Sequence, residues 1–295
     1  MKGAKNFIHF ILGLLFFLNI LAWIAVYDLT RPQFLEVSFF DVGQGDAIFI
    51  ETPQRHQILI DGGPDSKILE KLGENLPFWD RTIDLIILTH PEADHLAGLL
   101  EVLKRYKVEN ILWTGVLRDT AEFKEWQGLI EEEKIKEGTK IKIAQAGQKI
   151  ICSGCLLEQY VEILSPLENL EGKEFKDSNN TSIIGRLVFG ENSFLFTGDI
   201  YKSVEKKLIE NGANIHSDVL KISHHGSKTS STEEFIKEVS PEIAVISVGK
   251  NKYGHPYQET LETLTKYGIK ILRTDLDSDI KIICDSQSLK LKLED

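Results

Sequence analysis

Leu85-Ile86-Ile87-Leu88-Thr89-His90-Pro91-Glu92-Ala93-Asp94-His95 is the stretch on which the reading of this chain turns. An apolar run that ends abruptly in polar, metal-competent side chains predicts a buried strand whose end opens at the rim of a sheet. A lone histidine is usually a satisfied structural residue, and an Asp-His pair can arise by chance at a loop end. Here the ligand types recur at a spacing that lets one tight turn aim His90 and Glu92 at one ion and Asp94 and His95 at its neighbour, as paired-metal hydrolases require.

Working outward, two more apolar runs end the same way. Phe194-Leu195-Phe196-Thr197-Gly198 leads into Asp199, and Val219-Leu220-Lys221-Ile222-Ser223 leads into His224-His225-Gly226-Ser227. Gln57 to Ile60 predicts a further strand, closed by Asp61-Gly62-Gly63, whose glycines permit close backbone packing beneath a metal site. Asp61 is expected to hold the ligand loop rather than to coordinate.

HPEADH (His90 to His95), DGG (Asp61 to Gly63), TGD (Thr197 to Asp199) and the later histidine pair resemble the metallo-β-lactamase superfamily. Within it, FFDVGQGDA (Phe39 to Ala47), HHGS (His224 to Ser227) and VGKNKYGHP (Val248 to Pro256) are similar to the hydrolase domain of ComEC-type competence proteins. The likeness covers the chain after residue 33, and several motifs in the right order are far more specific than any one alone. It implies an α/β fold, a four-layer αββα sandwich with a dinuclear site at one sheet edge, and phosphodiesterase or nuclease activity on DNA.

The resemblance also implies a ligand set. His90 and Glu92 are expected at the first metal, and Asp94, His95 and His224 at the second, with His225 as the alternative to His224 and Asp199 as the bridge. Most superfamily members carry a metal-binding histidine near residues 177–182, where this chain has none; Asn180 or Ser182 would stand in, supporting the first metal with fewer nitrogens. Glu92 stands where the wider superfamily has histidine. An oxygen-rich set favours harder cations, so the expected cofactors are two divalent ions, manganese or zinc, with magnesium also admitted. Asp94, Asp199 and His255 are the candidate catalytic residues, His255 by binding the substrate phosphate or protonating the leaving oxygen.

Phe7 to Val26 is apolar except at His9, Gly13 and Asn19. As a helix it spans about 30 Å, the thickness of a bilayer core. A signal peptide would have a shorter apolar region and a small-residue cleavage site. The expectation is an uncleaved, single-pass anchor in residues 1–30, followed by a hydrolase domain over 31–295. Lys2 and Lys5 before the span and Asp28 after it predict a cytoplasmic N-terminus and an extracytoplasmic domain.

Three cysteines carry little chemistry: Cys152 and Cys155 flank a Ser-Gly turn and could pair outside the cell, and only Cys284 remains, too few for a zinc knuckle. A net charge of −11 argues against broad, tight nucleic-acid binding, because such affinity grows with the phosphates neutralised. Local positive charge at Lys228, Lys250 and Lys252, with His255, is the expected substrate rim.

Elsewhere the sequence predicts a hairpin across Phe34–Phe40 and Ala47–Glu51, helices over Leu96–Tyr106, Thr120–Lys136, Ser231–Val239 and Gln258–Tyr267, and a C-terminal edge hairpin. The leading expectation is a membrane-anchored, metal-dependent hydrolase acting on DNA, linked to DNA uptake through a separate channel; oligomeric state is not legible. The competing readings are a lactonase or β-lactamase-like enzyme and a tethered binding module without catalysis.

Overall fold

The computed structural model describes residues 2–29, 34–151 and 159–293; Cys152 and Cys155 lie outside them. The chain divides into two compact units, Met1–Gln33 and Phe34–Asp295. The first contains one helix, α1 (Lys2–Leu29), whose stretch Asn6–Ile24 is long and apolar enough to cross a membrane.

In the second unit the chain runs β1 (Leu35–Phe39), β2 (Ile48–Glu51), β3 (Gln57–Ile60), α2 (Lys67–Asn75), β4 (Thr82–Leu88), α3 (Ala93–Leu103), β5 (Lys107–Trp113), α4 (Ala121–Lys136) and β6 (Lys140–Ile143). It continues through β7 (Lys149–Ile151), β8 (Gln159–Ser165), β9 (Ile184–Phe189), β10 (Asn192–Phe196), α5 (Lys202–Glu210), β11 (Val219–Lys221) and α6 (Glu233–Val239). The remainder is β12 (Ile243–Ile246), α7 (Gln258–Lys266), β13 (Lys270–Arg273), α8 (Thr274–Asp277), β14 (Ile280–Cys284) and β15 (Leu289–Leu293).

Among the described residues the strands form an eight-stranded sheet of order β15-β14-β1-β2-β3-β4-β5-β6 and a seven-stranded sheet of order β13-β12-β11-β10-β9-β8-β7. Strands β3 to β6 pair in parallel, as do β10 to β13, and the remaining pairs in both sheets are antiparallel. Parallel strands covered on both faces read as continuous apolar runs, which is why Leu85 to Leu88 lacks a polar face. Within that run successive side chains point opposite ways. Leu85 and Ile87 join Val37, Ile50, Phe196 and Val245 between the sheets, while Ile86 and Leu88 pack under Leu72, Leu99 and Trp126 of α2, α3 and α4. On the other outer face, Leu195, Leu220 and Ile246 meet Leu208, Ile236 and Leu264 of α5, α6 and α7. The result is the expected αββα sandwich.

The N-terminal and C-terminal hairpins form as the alternation predicts, with β1 central and β15 at the edge. The short helices α2 and α5 were not anticipated, nine residues each being too brief for a clear period. Cys284 is a free, buried thiol in the inter-sheet core.

Close approach of α3 to the DGG turn fixes the site from behind. The Gly62 amide donates to the carbonyl of His95, and the Gly98 amide to the carbonyl of Gly63, at 2.8 and 2.9 Å. A Cβ on Gly98 would sit 1.8 Å from the Gly62 carbonyl oxygen, and one on Gly62 would sit 2.5 Å from the Leu99 nitrogen. Both clashes are with backbone, so neither can be relieved by a rotamer change. Gly98→Ala is therefore expected to destabilise the domain by roughly 1–3 kcal/mol through overpacking, read as a lower denaturant midpoint. Gly128→Ala, in open space on α4, should be neutral or stabilise by up to about 1 kcal/mol; equal effects at the two positions would refute the contact argument.

Candidate metal centre

The carboxyl ends of β3, β4, β10 and β11 come to one end of the sandwich, and each delivers a side chain to the seam between the sheets. Asp61 follows β3, His90 follows β4, and Asp94 and His95 lie in the first turn of α3. Asp199 follows β10 and His225 follows β11.

Three histidines are oriented by one device. Thr89 donates its hydroxyl to Asp61 Oδ2 at 2.6 Å, so its oxygen is left to accept from His90 Nδ1 at 3.0 Å. His95 Nδ1 donates to Asp61 Oδ2 at 2.7 Å, and His225 Nδ1 donates to the Ser247 carbonyl at 2.8 Å. In each ring Nδ1 carries the bonded proton, and the buried Nε2 atoms of His90, His95 and His225 have no hydrogen-bond partner. An imidazole tied at Nδ1 and free at Nε2 is the usual posture of a metal ligand. His95 Nε2 and His225 Nε2 each stand 3.4 Å from Asp199 Oδ2, and His225 Nε2 also stands 3.4 Å from Asp94 Oδ2. Asp94, His95, Asp199 and His225 thus offer four donor atoms within 4.8 Å of one another. This mixed nitrogen and oxygen set, with both imidazole Nε2 atoms buried and otherwise without hydrogen-bond partners, fits a divalent cation.

His225 and His224 are separated by backbone geometry. Both sit in the left-handed region, at φ 54° and 51°, a conformation that non-glycine residues occupy at a cost and that clusters at functional sites. The turn sends His225 into the cluster and leaves His224 at its mouth, 3.2 Å from Thr229 Oγ1 and 3.4 Å from Asn179 Nδ2. Of the two histidines expected as alternatives, the structure brings His225 and not His224 together with Asp94, His95 and Asp199.

Glu92 does not join the cluster. Its carboxylate is held by Arg118 at 2.9 Å and by the Ser178 hydroxyl, and Arg118 also donates to the carbonyls of Phe175 and Lys176. Asn180 is also turned away, accepting from the Tyr201 amide and donating to Ser203. Ser182 supports the site from behind, accepting from the Asp199 amide at 3.1 Å. Of that turn, Asp177 and Asn179 face the cleft.

Two buried residues were missed. Lys221 is fully buried, paired with Asp46, 3.5 Å from Asp199 Oδ1 and 3.1 Å from the Gly198 carbonyl. Its place inside the apolar run Val219–Ile222 was the available signal, because a lysine buried there requires buried acids. Asp46, in the GQGD turn, lies 3.5 Å from His225 Nδ1.

The cleft above the cluster has a volume of about 320 Å³. Its wall includes Arg118, Lys176, Tyr201, His224, Tyr253 and His255. Of the lysines predicted for the rim, Lys250 and Lys252 line an adjoining depression, and the ammonium of Lys228 lies over the Tyr257 ring at 5.3 Å. Burial, with His224 and His225 nearby, pushes His255 down to about 4. Burial also disfavours charge on His95 and His225, but Asp199 outweighs it with help from Asp61 and Asp94 and raises both. Burial opposes ionisation of Asp199, yet His225, His95 and Lys221 hold it well below the usual carboxylate range.

With these geometries in place the chain can be compared with known proteins. The sequence model of the metallo-beta-lactamase superfamily matches residues 40–250. The chain is 34% identical over 269 residues to ComE operon protein 3 of Bacillus subtilis (strain 168), and 31% identical over 249 residues to Competence protein ComA of Neisseria gonorrhoeae. Each alignment takes in 83% of this chain and 32% of the relative, so the chain spans about a third of their length. Igni18, a metallo hydrolase from Ignicoccus hospitalis, superposes with a TM-score of 0.52 at 13% identity, over 84% of this chain and 98% of that one. That likeness bears on the fold alone.

Two outcomes are expected. Lys221→Met leaves Asp46 and Asp199 buried without their cation and should cost about 3–5 kcal/mol, with part of the loss recovered in Lys221→Met/Asp46→Asn; no recovery would mean that the pair does not act as a unit. Because the acids raise His95 and His225, an arriving cation must displace protons, so metal affinity should climb as pH rises through neutrality. Calorimetry in two buffers of different ionisation enthalpy counts those protons, and a count of zero would show both rings already neutral.

Proposed function

Since this chain belongs to the metallo-β-lactamase superfamily, we propose that it is a metal-dependent hydrolase of phosphodiesters in DNA, held at a membrane by α1. The observation that carries the reading is the convergence of His95 Nε2 and His225 Nε2 on Asp199 Oδ2, at 3.4 Å each. His90, Asp94, His95, Asp199 and His225 are the proposed ligands, with manganese or zinc the proposed ions. Bound there, two divalent cations would lower the pKa of water and neutralise charge on a phosphate in displacement.

This chain's own groups supply the rest. Asp61 and Thr89 fix the tautomers of His95 and His90, so no reorientation is needed when a ligand arrives. Lys221 neutralises the inner oxygen of Asp199 and leaves the outer one facing the histidines. His255, kept neutral by the burial that lowers its pKa to about 4, can donate one hydrogen bond to a phosphate oxygen and is ill suited to enter as imidazolium. Arg118 and Lys176 are the cations that line the cleft itself.

The substrate class rests on the kinship with competence proteins and on these wall cations. The apolar, unburied stretch of α1 supports the anchor, and Lys2 and Lys5 support a cytoplasmic N-terminus with residues 31–295 as an extracytoplasmic hydrolase domain. A role in DNA uptake would draw on a separate channel.

The test is turnover of single-stranded DNA, double-stranded DNA, a chromogenic phosphodiester, a lactone and a lactam by metal-loaded full-length chain. Asp199→Asn, near-isosteric but lacking the charge, should abolish phosphodiester hydrolysis while the domain still unfolds in one cooperative transition, and a chelator should abolish hydrolysis reversibly. Lactone or lactam turnover without any phosphodiester cleavage would put the small-molecule hydrolase in its place, and failure to bind metal would favour the binding module.

A further inference from the structure

The strand directions give the sandwich two unlike ends. Metal-cluster side chains follow the carboxyl ends of β4, β10 and β11. At the opposite end lie Leu35, where β1 begins beside Glu51 and Gln57, and the loop between α2 and the start of β4. That loop carries Phe78 and Trp79, 81% and 72% exposed, with ring centroids 4.8 Å apart in an edge-on pair. Two further apolar side chains reach the same end: Ile135 in the last turn of α4, 75% exposed, and Ile151 at the end of β7, 73% exposed. At the metal end the exposed Tyr253 belongs to the cleft wall, and Leu167 and Leu276 stand apart from each other, after β8 and on α8, toward opposite sides of the seven-stranded sheet.

We infer that this end rests on the bilayer that holds α1, with Phe78 and Trp79 set in its headgroup region. The inference depends on reading α1 as an anchor. Three observations carry it. Phe34 and Leu35 open the second unit at this end, and four residues of sequence separate Phe34 from the end of α1 at Leu29, so a bilayer holding α1 is tethered to this end. Large aromatic rings left in water cost free energy, and contiguous exposed apolar surface marks a contact site; tryptophan in particular favours the membrane interface, where its ring is apolar and its N–H finds partners. The nearest acid does not oppose insertion, because Asp80 is turned inward, accepting from Gln57 Nε2 at 2.7 Å and from the Thr82 amide at 3.1 Å.

The consequence is functional. With strands of up to seven residues between the two ends, the metal cleft opens roughly 20 Å from the lipid and faces away from it. A polymer in the aqueous phase can then reach the cleft without approaching an anionic membrane surface, whereas a lipid headgroup of the same bilayer cannot.

The test uses the full chain in vesicles of phosphatidylcholine and phosphatidylglycerol, with the phosphatidylcholine brominated at shallow or deep acyl positions to quench tryptophan. Trp113 and Trp126 are buried inside the domain and stay shielded. Trp79→Phe leaves Trp23 of α1 as the accessible reporter, and Trp23→Phe leaves Trp79. The expected result is loss of emission in both proteins, with Trp79 lost more strongly to the shallow bromines. Quenching of Trp23 with Trp79 untouched overturns the inference while the anchor stands, whether the loop is then bare or covered by a second protein. Loss from neither overturns the anchor as well.

Discussion

Everything at the metal end depends on burying Asp46, Asp61 and Asp199 within a few ångströms of one another. A carboxylate in a low-dielectric interior is tolerated only when paired and hydrogen-bonded. Each acid here has its own answer. Asp61 takes Thr89 and His95, Asp46 takes Lys221, and Asp199 divides its oxygens between Lys221 and the two imidazoles. The fold serves this arrangement: parallel strands from two sheets end at one seam, and the glycines at 62 and 98 let α3 close on it from behind.

How much of this could be read from the sequence follows from what each signal encodes. Apolar runs ending in ligands gave the strands and the end at which the site opens, because burial on both faces and a polar terminus are local properties. The choice between His224 and His225 was illegible, since it is made by two left-handed backbone angles that adjacent identical residues do not announce. Lys221 was legible only in part: a lysine inside an apolar run asks for buried acids, but which acids answer it is set by partners distant in sequence. Arg118 was invisible because its partner Glu92 lies 26 residues away and already had a chemical use on paper.

The fold also separates the two tasks proposed for the chain. The sequence joins the proposed anchor to the domain where β1 begins, and the candidate chemistry collects where β4, β10 and β11 finish, so under the proposed reading a bilayer at one end and a polymer at the other would not compete for surface. With a net charge of −11, the chain gains nothing from broad contact with nucleic acid. Engagement limited to the cleft, where Arg118 and Lys176 stand with His224 and His255, is consistent with turnover rather than storage.

The two halves of the metal centre are unequal, and the inequality has a physical origin. On the His225 side the donors of Asp94, His95 and Asp199 already face one another. On the His90 side, one buried Nε2 is ready, but the acid that the motif would supply is engaged by Arg118 and Ser178. Drawing Glu92 inward would strip a mostly buried guanidinium of its counter-charge, a cost that the other side does not bear. A cation therefore meets a prepared set of ligands at His225 and a contested one at His90. Under the proposed two-ion reading, that ion pair, outside the cluster, would set the order in which the two sides fill, rather than the number of ligands the motif spells.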